Sequence, residues 1–493
     1  MTPPIRETLI RYLPMAPPAY LICCILIAIL GPLQFGYHLA ELNAPQDVLS
    51  CNKPASDGRR YGKLPLCLPM SEAQFATVAS MFVVGGFIGA STFSTLITTS
   101  GYKTAMRLIS FLFITGSAIQ GVAATSYLMG FGRVLVGIAG GASTVVTPLY
   151  ISTIAPPQEK AFYGYWTQIS INVGLLLTQV LGYYWRNASS WRLVLGFGCL
   201  LATLQMFGLW LVPESPQWLV QHGQMNHATQ VLQRIRGKDT DIMEEMKDWE
   251  RYESSPEERG LLVQQSAQSP AASSPADIGV WDVVKDMRFR QALIAVTGVM
   301  VAQQVTGINA IMMYSTSLLR GVVPVSSGLI SILVSVANLL VTIGCSTLPE
   351  KLGRKPVLLI SIAGMGFSSF LLALSLKFGL KFPAALAVLL FVAAFAVGLG
   401  PVPFLIGSEL VKGTEAGSAI QSLGLSANYI ATYLVAETFP TINTALNKAL
   451  GASGWAFYIF GGFAVLSFWF VSTKVPETKG KRSMEEVWKW KGS

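Results

Sequence analysis

The sequence predicts an all-α membrane protein: twelve transmembrane helices in two six-helix halves, joined by a helical linker. Three observations predict it. Of 493 residues, 52% are hydrophobic and only 12% charged, where soluble domains carry roughly 25% charged residues. The mean hydropathy of +0.50 leaves too little charge for a water-facing surface. Apolar stretches of about 20 residues, the length that crosses a bilayer, recur along the chain on both sides of one long polar segment. A nucleic-acid binder is excluded despite the net charge of +9, as are a disordered scaffold and a disulfide-framework secreted domain.

The spans begin near Ala19, Ala73, Thr104, Tyr127, Ala161, Arg192, Phe289, Ser326, Lys355, Phe382, Glu415 and Gly451. They divide the chain into an amino-terminal half (1–212), a linker with short helices (213–288), a carboxy-terminal half (289–472) and a tail (473–493). Within the linker, Gln264–Asp277 is a Ser/Pro/Ala stretch expected to stay disordered. Lys/Arg placement sets the orientation. With the amino terminus inside, most of the 35 basic residues fall on the inner side. The outer side keeps Lys53, Arg59, Arg60, Lys63, Arg133, Arg186, Arg192, Arg320, Lys377, Lys381 and Lys448. Both termini are therefore expected to be cytoplasmic, and the net charge reflects topology. The polar, Pro-containing start runs into a full-length span, so no removable signal peptide is apparent.

Cys23, Cys24, Cys199 and Cys345 fall in spans. Cys51 and Cys67 share the first outer loop, on the face equivalent to an oxidising compartment, where a bridge is favoured over two free thiols. Asn187-Ala-Ser189 is a glycosylation sequon on the same face, in a loop too short to favour its use.

The halves repeat at their ends. Val212-Pro213-Glu214-Ser215 closes span six as Val475-Pro476-Glu477-Thr478 closes span twelve. Gly101-Tyr102-Lys103 follows span two as Gly353-Arg354-Lys355 follows span eight. Parallel repeats about an axis along the membrane normal are a transporter architecture, with the substrate held between the halves near the midplane.

Polar side chains inside spans face each other or a water-filled cavity. Gln168, Asn172 and Gln179 share one face of span five, within ~40° on a helix. Ser331, Ser335, Asn338 and Thr342 form a stripe in span eight. Span one offers Gln34, His38 and Glu41, and span eleven Ser418, Ser422, Tyr429 and Thr432. Any one stripe could be interhelical glue, but four together favour a polar cavity. In span seven, Gln304 and Asn309 would point ~140° apart on an unbroken helix, and a break at Thr306-Gly307 would bring both to one cavity. Gly400, Pro401 and Pro403 interrupt span ten. Gly307, Gly400, Pro401 and Pro403 are thus candidate gating hinges, with a passive kink as the alternative. The lining is amide, hydroxyl and aromatic, with no Lys or Arg deep in a span. That chemistry matches a neutral sugar or polyol, donor for acceptor.

Several motifs carry a resemblance. Gly31-Pro-Leu-Gln-Phe-Gly-Tyr-His38 with Leu42-Asn-Ala-Pro-Gln46 resembles the first span of animal-type glucose facilitators. Gln303-Gln-Val-Thr-Gly-Ile-Asn309 resembles the seventh-span signature of sugar porters, and Pro213-Glu-Ser-Pro-Gln-Trp218 and Pro476-Glu-Thr-Lys-Gly480 resemble their two half-end signatures. The match spans nearly the whole chain, so the sequence is similar to the sugar porter family of the major facilitator superfamily, nearest a fungal subgroup associated with vacuolar protein sorting. The resemblance implies sugar contacts at Gln168, Gln303, Gln304, Asn309, Asn338 and Asn428, with Phe404 where the family usually has Trp. It also implies an inner-face charge network of Glu214, Glu350, Arg354, Glu409 and Glu477.

The departures are specific. Proton symporters of the family carry Asp where this chain has His38, for which a buried neutral His is favoured over a proton carrier. Met313 and Ala396 replace a common Tyr and Glu near the site. In the amino half, Thr98, Thr99, Tyr102, Thr153 and Lys160 stand where relatives carry the latch charges, which should weaken that gate. The sequence contains no HExxH, P-loop or GxSxG motif and implies no cofactor, no metal and no enzyme activity. The expected function is facilitated diffusion of a hexose or related polyol by a monomer in the plasma membrane or a vacuolar or endosomal membrane. The alternative is a non-transporting sugar receptor or trafficking factor on the same scaffold.

Overall fold

The computed structural model describes residues 19–51, 64–246, 280–312, 327–411 and 417–488, apart from a few single positions. The Gln264–Asp277 stretch, Ser189 of the sequon, Met313, Tyr314 and the span boundaries at Ser326 and Glu415 lie outside the described residues. The described chain is helical, and its long segments are α1 (Ala19–Ala40), α2 (Glu72–Ser100), α3 (Tyr102–Gly121), α4 (Ser126–Ile154), α5 (Lys160–Tyr184), α6 (Trp191–Gly208), α7 (Arg290–Met312), α8 (Ser327–Gly344), α9 (Arg354–Lys377), α10 (Lys381–Gly407), α11 (Gly417–Leu450) and α12 (Trp455–Lys474). Among the described residues, eight of these are long and apolar enough to cross a membrane by themselves. The other four, α3, α5, α8 and α11, include the helices with the strongest polar stripes, α5, α8 and α11.

Local sequence explains the boundaries. Ser71 caps α2 through a capping box with Gln74, which satisfies two orphan N–H groups of the first turn. Glycines then let backbones touch: a methyl at Gly85 or Gly89 of α2 would collide with the Val134 or Ile138 carbonyl of α4. Reciprocally, one at Gly137 or Gly141 would collide with the Phe82 or Gly86 carbonyl. This small-residue packing joins helices where no hydrophobic force drives them together.

The two ends of the bundle differ. At one end Cys51 and Cys67 are bridged, with Cα atoms 5.3 Å apart. Trp191 Nε1 donates to Leu66 O at 2.8 Å and Arg192 to Pro65 O at 2.9 Å, docking the bridged loop on α6. At the other end lies the linker helix Met225–Arg236. Its Arg236 donates to Ile154 O and Ala155 O at the end of α4 and pairs with Glu245. We call these the disulfide end and the linker end.

Candidate functional site

Two helices are broken at mid-height, and both breaks face one cavity. In α7 the helix stops at Val305, turns through Thr306-Gly307 with Gly307 at φ 97°, and resumes. This turn swings Asn309 round so that its Nδ2 donates to Gln304 Oε1 at 2.6 Å. In α10 a helix ends at Val397 and another starts at Val402, with Gly398–Pro401 between.

The cavity, of about 90 Å³, lies between the two six-helix halves. That is roughly six to nine solvent positions, the scale of a small solute. Gln168, Gln303, Gln304, Asn309, Asn338, Phe404 and Asn428 all line it, together with Thr144, Asn172, Tyr429, Thr432 and an apolar wall including Phe35, Phe82 and Phe395. None of these lining residues is charged. Gln303 and Gln304 from α7 and Asn428 from α11 share hydrogen bonds: Asn428 Nδ2 donates to Gln303 Oε1 at 2.7 Å and Gln304 Nε2 to Asn428 Oδ1 at 3.2 Å. Across the halves, Asn338 Nδ2 donates to Asn172 Oδ1 at 3.2 Å and Asn172 Nδ2 to Thr342 Oγ1 at 2.8 Å. Asn338 is 2% exposed, and its Oδ1 has no partner among the described residues. A buried acceptor left open is costly unless something fills it.

The span-one stripe does not line this cavity. Gln34 Nε2 donates to Gln205 Oε1 at 2.8 Å, so that pair joins α1 to α6. His38 Nδ1 and Glu41 Oε2 are 2.7 Å apart, and Arg133 donates to Glu41 Oε1 at 2.8 Å and to His38 O at 2.6 Å. Arg133 is 1% exposed inside α4. This corrects one sequence expectation: Arg133, counted with the loop charges of the outer side, is a basic residue buried within a span. Its counter-charge comes from another helix, which no single-span pattern reveals.

At the linker end the repeated motifs fold alike. The Glu214 carboxylate accepts from the N–H groups of Tyr102 and Lys103 at the start of α3. Glu477 accepts from Arg354 N and Lys355 N at the start of α9, both at 3.0 Å. Each carboxylate sits against a glycine with positive φ, Gly101 at 85° and Gly353 at 103°, where any Cβ would clash with it. Helix N-termini favour such anions. Burial pushes the Glu214 carboxyl above its ordinary range, while the N–H groups of Ser215, Lys103 and Tyr102 pull it back. The carboxyl half adds a bidentate pair, Arg354 to Glu409 at 2.6 Å, and Thr478 donates to the same carboxylate. Glu350 stands apart from this network, exposed in the short helix Leu348–Leu352. In the amino half Tyr102 instead packs on Tyr150, ring centroids 5.9 Å apart.

A family model described as "Sugar (and other) transporter" matches residues 23–490. The chain belongs to that family. This member of the sugar transporter family is 33% identical over 487 residues to a probable metabolite transport protein of Saccharomyces cerevisiae, covering 95% of each chain. It is 32% identical to vacuolar protein sorting-associated protein 73 of the same yeast, over 92% of this chain and 93% of that one. It is 30% identical to human solute carrier family 2, facilitated glucose transporter member 3, over 95% and 91%. Its fold matches the proton:xylose symporter XylE bound to 6-bromo-6-deoxy-D-glucose, with a TM-score of 0.74, 23% identity and coverage of 97% and 100%. It is thus a membrane-spanning transporter of the major facilitator superfamily, and its family and its human glucose-transporter relative are transporters rather than enzymes.

Proposed function

We propose that this protein moves a hexose or related neutral polyol across the membrane by alternating access, as facilitated diffusion without proton coupling. The observation that carries this reading is the cavity wall, which is neutral at every lining residue and rich in amides. Hydroxyls both donate and accept, so a polyol pairs with Gln168, Gln303, Gln304, Asn309, Asn338 and Asn428, while Phe404 offers an apolar face. The open Asn338 Oδ1 takes a hydroxyl donor.

The absence of coupling is supported by where the titratable groups of α1 lie. Glu41 has both oxygens engaged, by Arg133 and His38, and His38 Nε2 is 3.3 Å from Ser117 Oγ. Neither residue lines the cavity. Both termini are cytoplasmic in this reading, the functional unit is a monomer, and the membrane is the plasma membrane or a vacuolar or endosomal one.

The second reading, a sugar receptor or trafficking factor, is favoured by the relative named for vacuolar protein sorting. Protein reconstituted in liposomes separates the two. Labelled D-glucose or a close analogue is expected to equilibrate, with loss in Gln304→Ala and Asn338→Ala. Binding without flux would favour the receptor. Uptake that tracks an imposed proton gradient would end the uniport reading.

A further inference from the structure

The α10 break ends at Pro401, and a second proline, Pro403, lies in the first turn of the segment that follows; neither has a backbone donor. Val402 N donates to Gly398 O, four residues earlier, at 3.0 Å, so the next bond of that ladder, to Leu399 O, is the one Pro403 cannot make. The chain does not leave it open. Gln303 Nε2 of α7 donates to Leu399 O at 2.6 Å and to Gly400 O at 3.2 Å. Ser361 Oγ of α9 receives Leu399 N at 2.9 Å and donates to Ala394 O at 2.7 Å. The break is therefore stapled by side chains from two other helices.

Gln303 is fully committed to protein partners. Both Nε2 hydrogens go to the α10 backbone, and its Oε1 accepts from Asn428 and Gln304. A buried primary amide has no further donor to offer. We propose that Gln303 is a clasp that ties the α10 break to the occupancy of the cavity: a positioning residue of the hinge, not simply a wall contact. A hydroxyl that takes the Gln303 amide must first draw it from Leu399 O. That carbonyl is then left open, and the two segments of α10 are free to change their angle. The clasp holds the break closed, and a hydroxyl that takes the amide releases it. The inference rests on the transport reading for its consequence, but not for the clasp itself.

Pro403→Ala is the decisive change, because it restores the missing N–H to Leu399 O and makes the clasp redundant. The first experiment uses ligand-free full-length protein in detergent and follows amide hydrogen exchange of the peptide covering residues 398–406. Gln303→Met, which keeps the volume and removes the donors, is expected to speed that exchange about tenfold. Pro403→Ala in the same chain is expected to return it to the unsubstituted rate. Equal exchange in the Gln303→Met and unsubstituted proteins would overturn the clasp.

The second experiment adds D-glucose at saturation. The unsubstituted protein is expected to exchange faster at the break, and Gln303→Met to show no further change. Slowing of the break by sugar in the unsubstituted protein would overturn the proposal. Protein that binds no sugar, but whose ligand-free exchange follows the expected pattern, would keep the clasp and remove the transport reading instead.

Discussion

The two halves of the molecule place their internal ion pairs at opposite ends and at different depths. The amino half buries Arg133 and Glu41 at 1% and 0% exposure, towards the disulfide end. The carboxyl half holds Arg354 and Glu409 at 14% and 24%, at the linker end. Desolvation makes this difference matter. A fully buried pair cannot open without leaving an uncompensated charge in low dielectric, so the amino-half pair is a fixed anchor. A pair that keeps some contact with water can break and re-form as the halves move. Combined with the proposed alternating access, this contrast predicts conformational change at the linker end in the carboxyl half and rigidity in the amino half.

The largest effect expected from breaking this contrast comes from Arg133→Ala. It removes the charge paired with Glu41 and a donor to the His38 and Ala79 carbonyls, so a loss of about 3–5 kcal/mol is expected. Fluorescence-detected size-exclusion after heating checks it: little folded protein should survive. A variant as stable as the parent would show that the anchor is not one.

Arg354→Ala should cost less stability, about 1–3 kcal/mol given its partial exposure, but more transport per unit of stability lost. Thermal midpoint and initial uptake measured on the same preparations test that ratio. If Arg354→Ala and Arg133→Ala show the same ratio, the anchor-versus-latch distinction fails.

A graft sharpens the same point. Tyr102→Arg with Thr153→Glu places an acid and a base where the amino half now has an aromatic contact. The coupling measured in a double-mutant cycle should be at most about 1 kcal/mol, with slower uptake because a second latch must open. Faster uptake would contradict the assignment. The smallest expected effect is that of pH. Uptake between about pH 5.5 and 7.5 should stay nearly flat, because the cavity is lined by no Asp, Glu, His, Lys or Arg.

Much of the cavity was legible in the chain. Periodicity on α5 and α8 picked out Gln168 and Asn338, and the break at Thr306-Gly307 was visible as a Gly-centred interruption between Gln304 and Asn309. Phe404 and Asn428 came from the resemblance. Thr144 was missed, because the neighbouring hydroxyls of Ser143, Thr144 and Thr147 can bond to helix carbonyls, as they do, and so do not by themselves mark a cavity. The first-span stripe misled for a related reason. Gln34, His38 and Glu41 share a face, but helical period reports that a face is polar and is silent on what it meets. Here it meets Gln205, Ser117 and Arg133 rather than the cavity. The altered amino-half latch was legible as missing charges, whereas its replacements, Tyr102 on Tyr150 and Arg236 on the end of α4, were not.

Composition and local pattern by themselves determined that this chain lives in a bilayer, that it repeats, where its helices break and that the side chains facing its cavity are neutral. Those properties follow from the cost of moving each residue out of water, which is additive along the chain. Tertiary structure alone decided the partners. Gln303 holds the carbonyl that Pro403 orphans, Arg133 neutralises Glu41, and Asn338 keeps an acceptor open. Hydrogen bonds and ion pairs depend on distance and angle between helices far apart in sequence, and no one-dimensional pattern encodes that geometry.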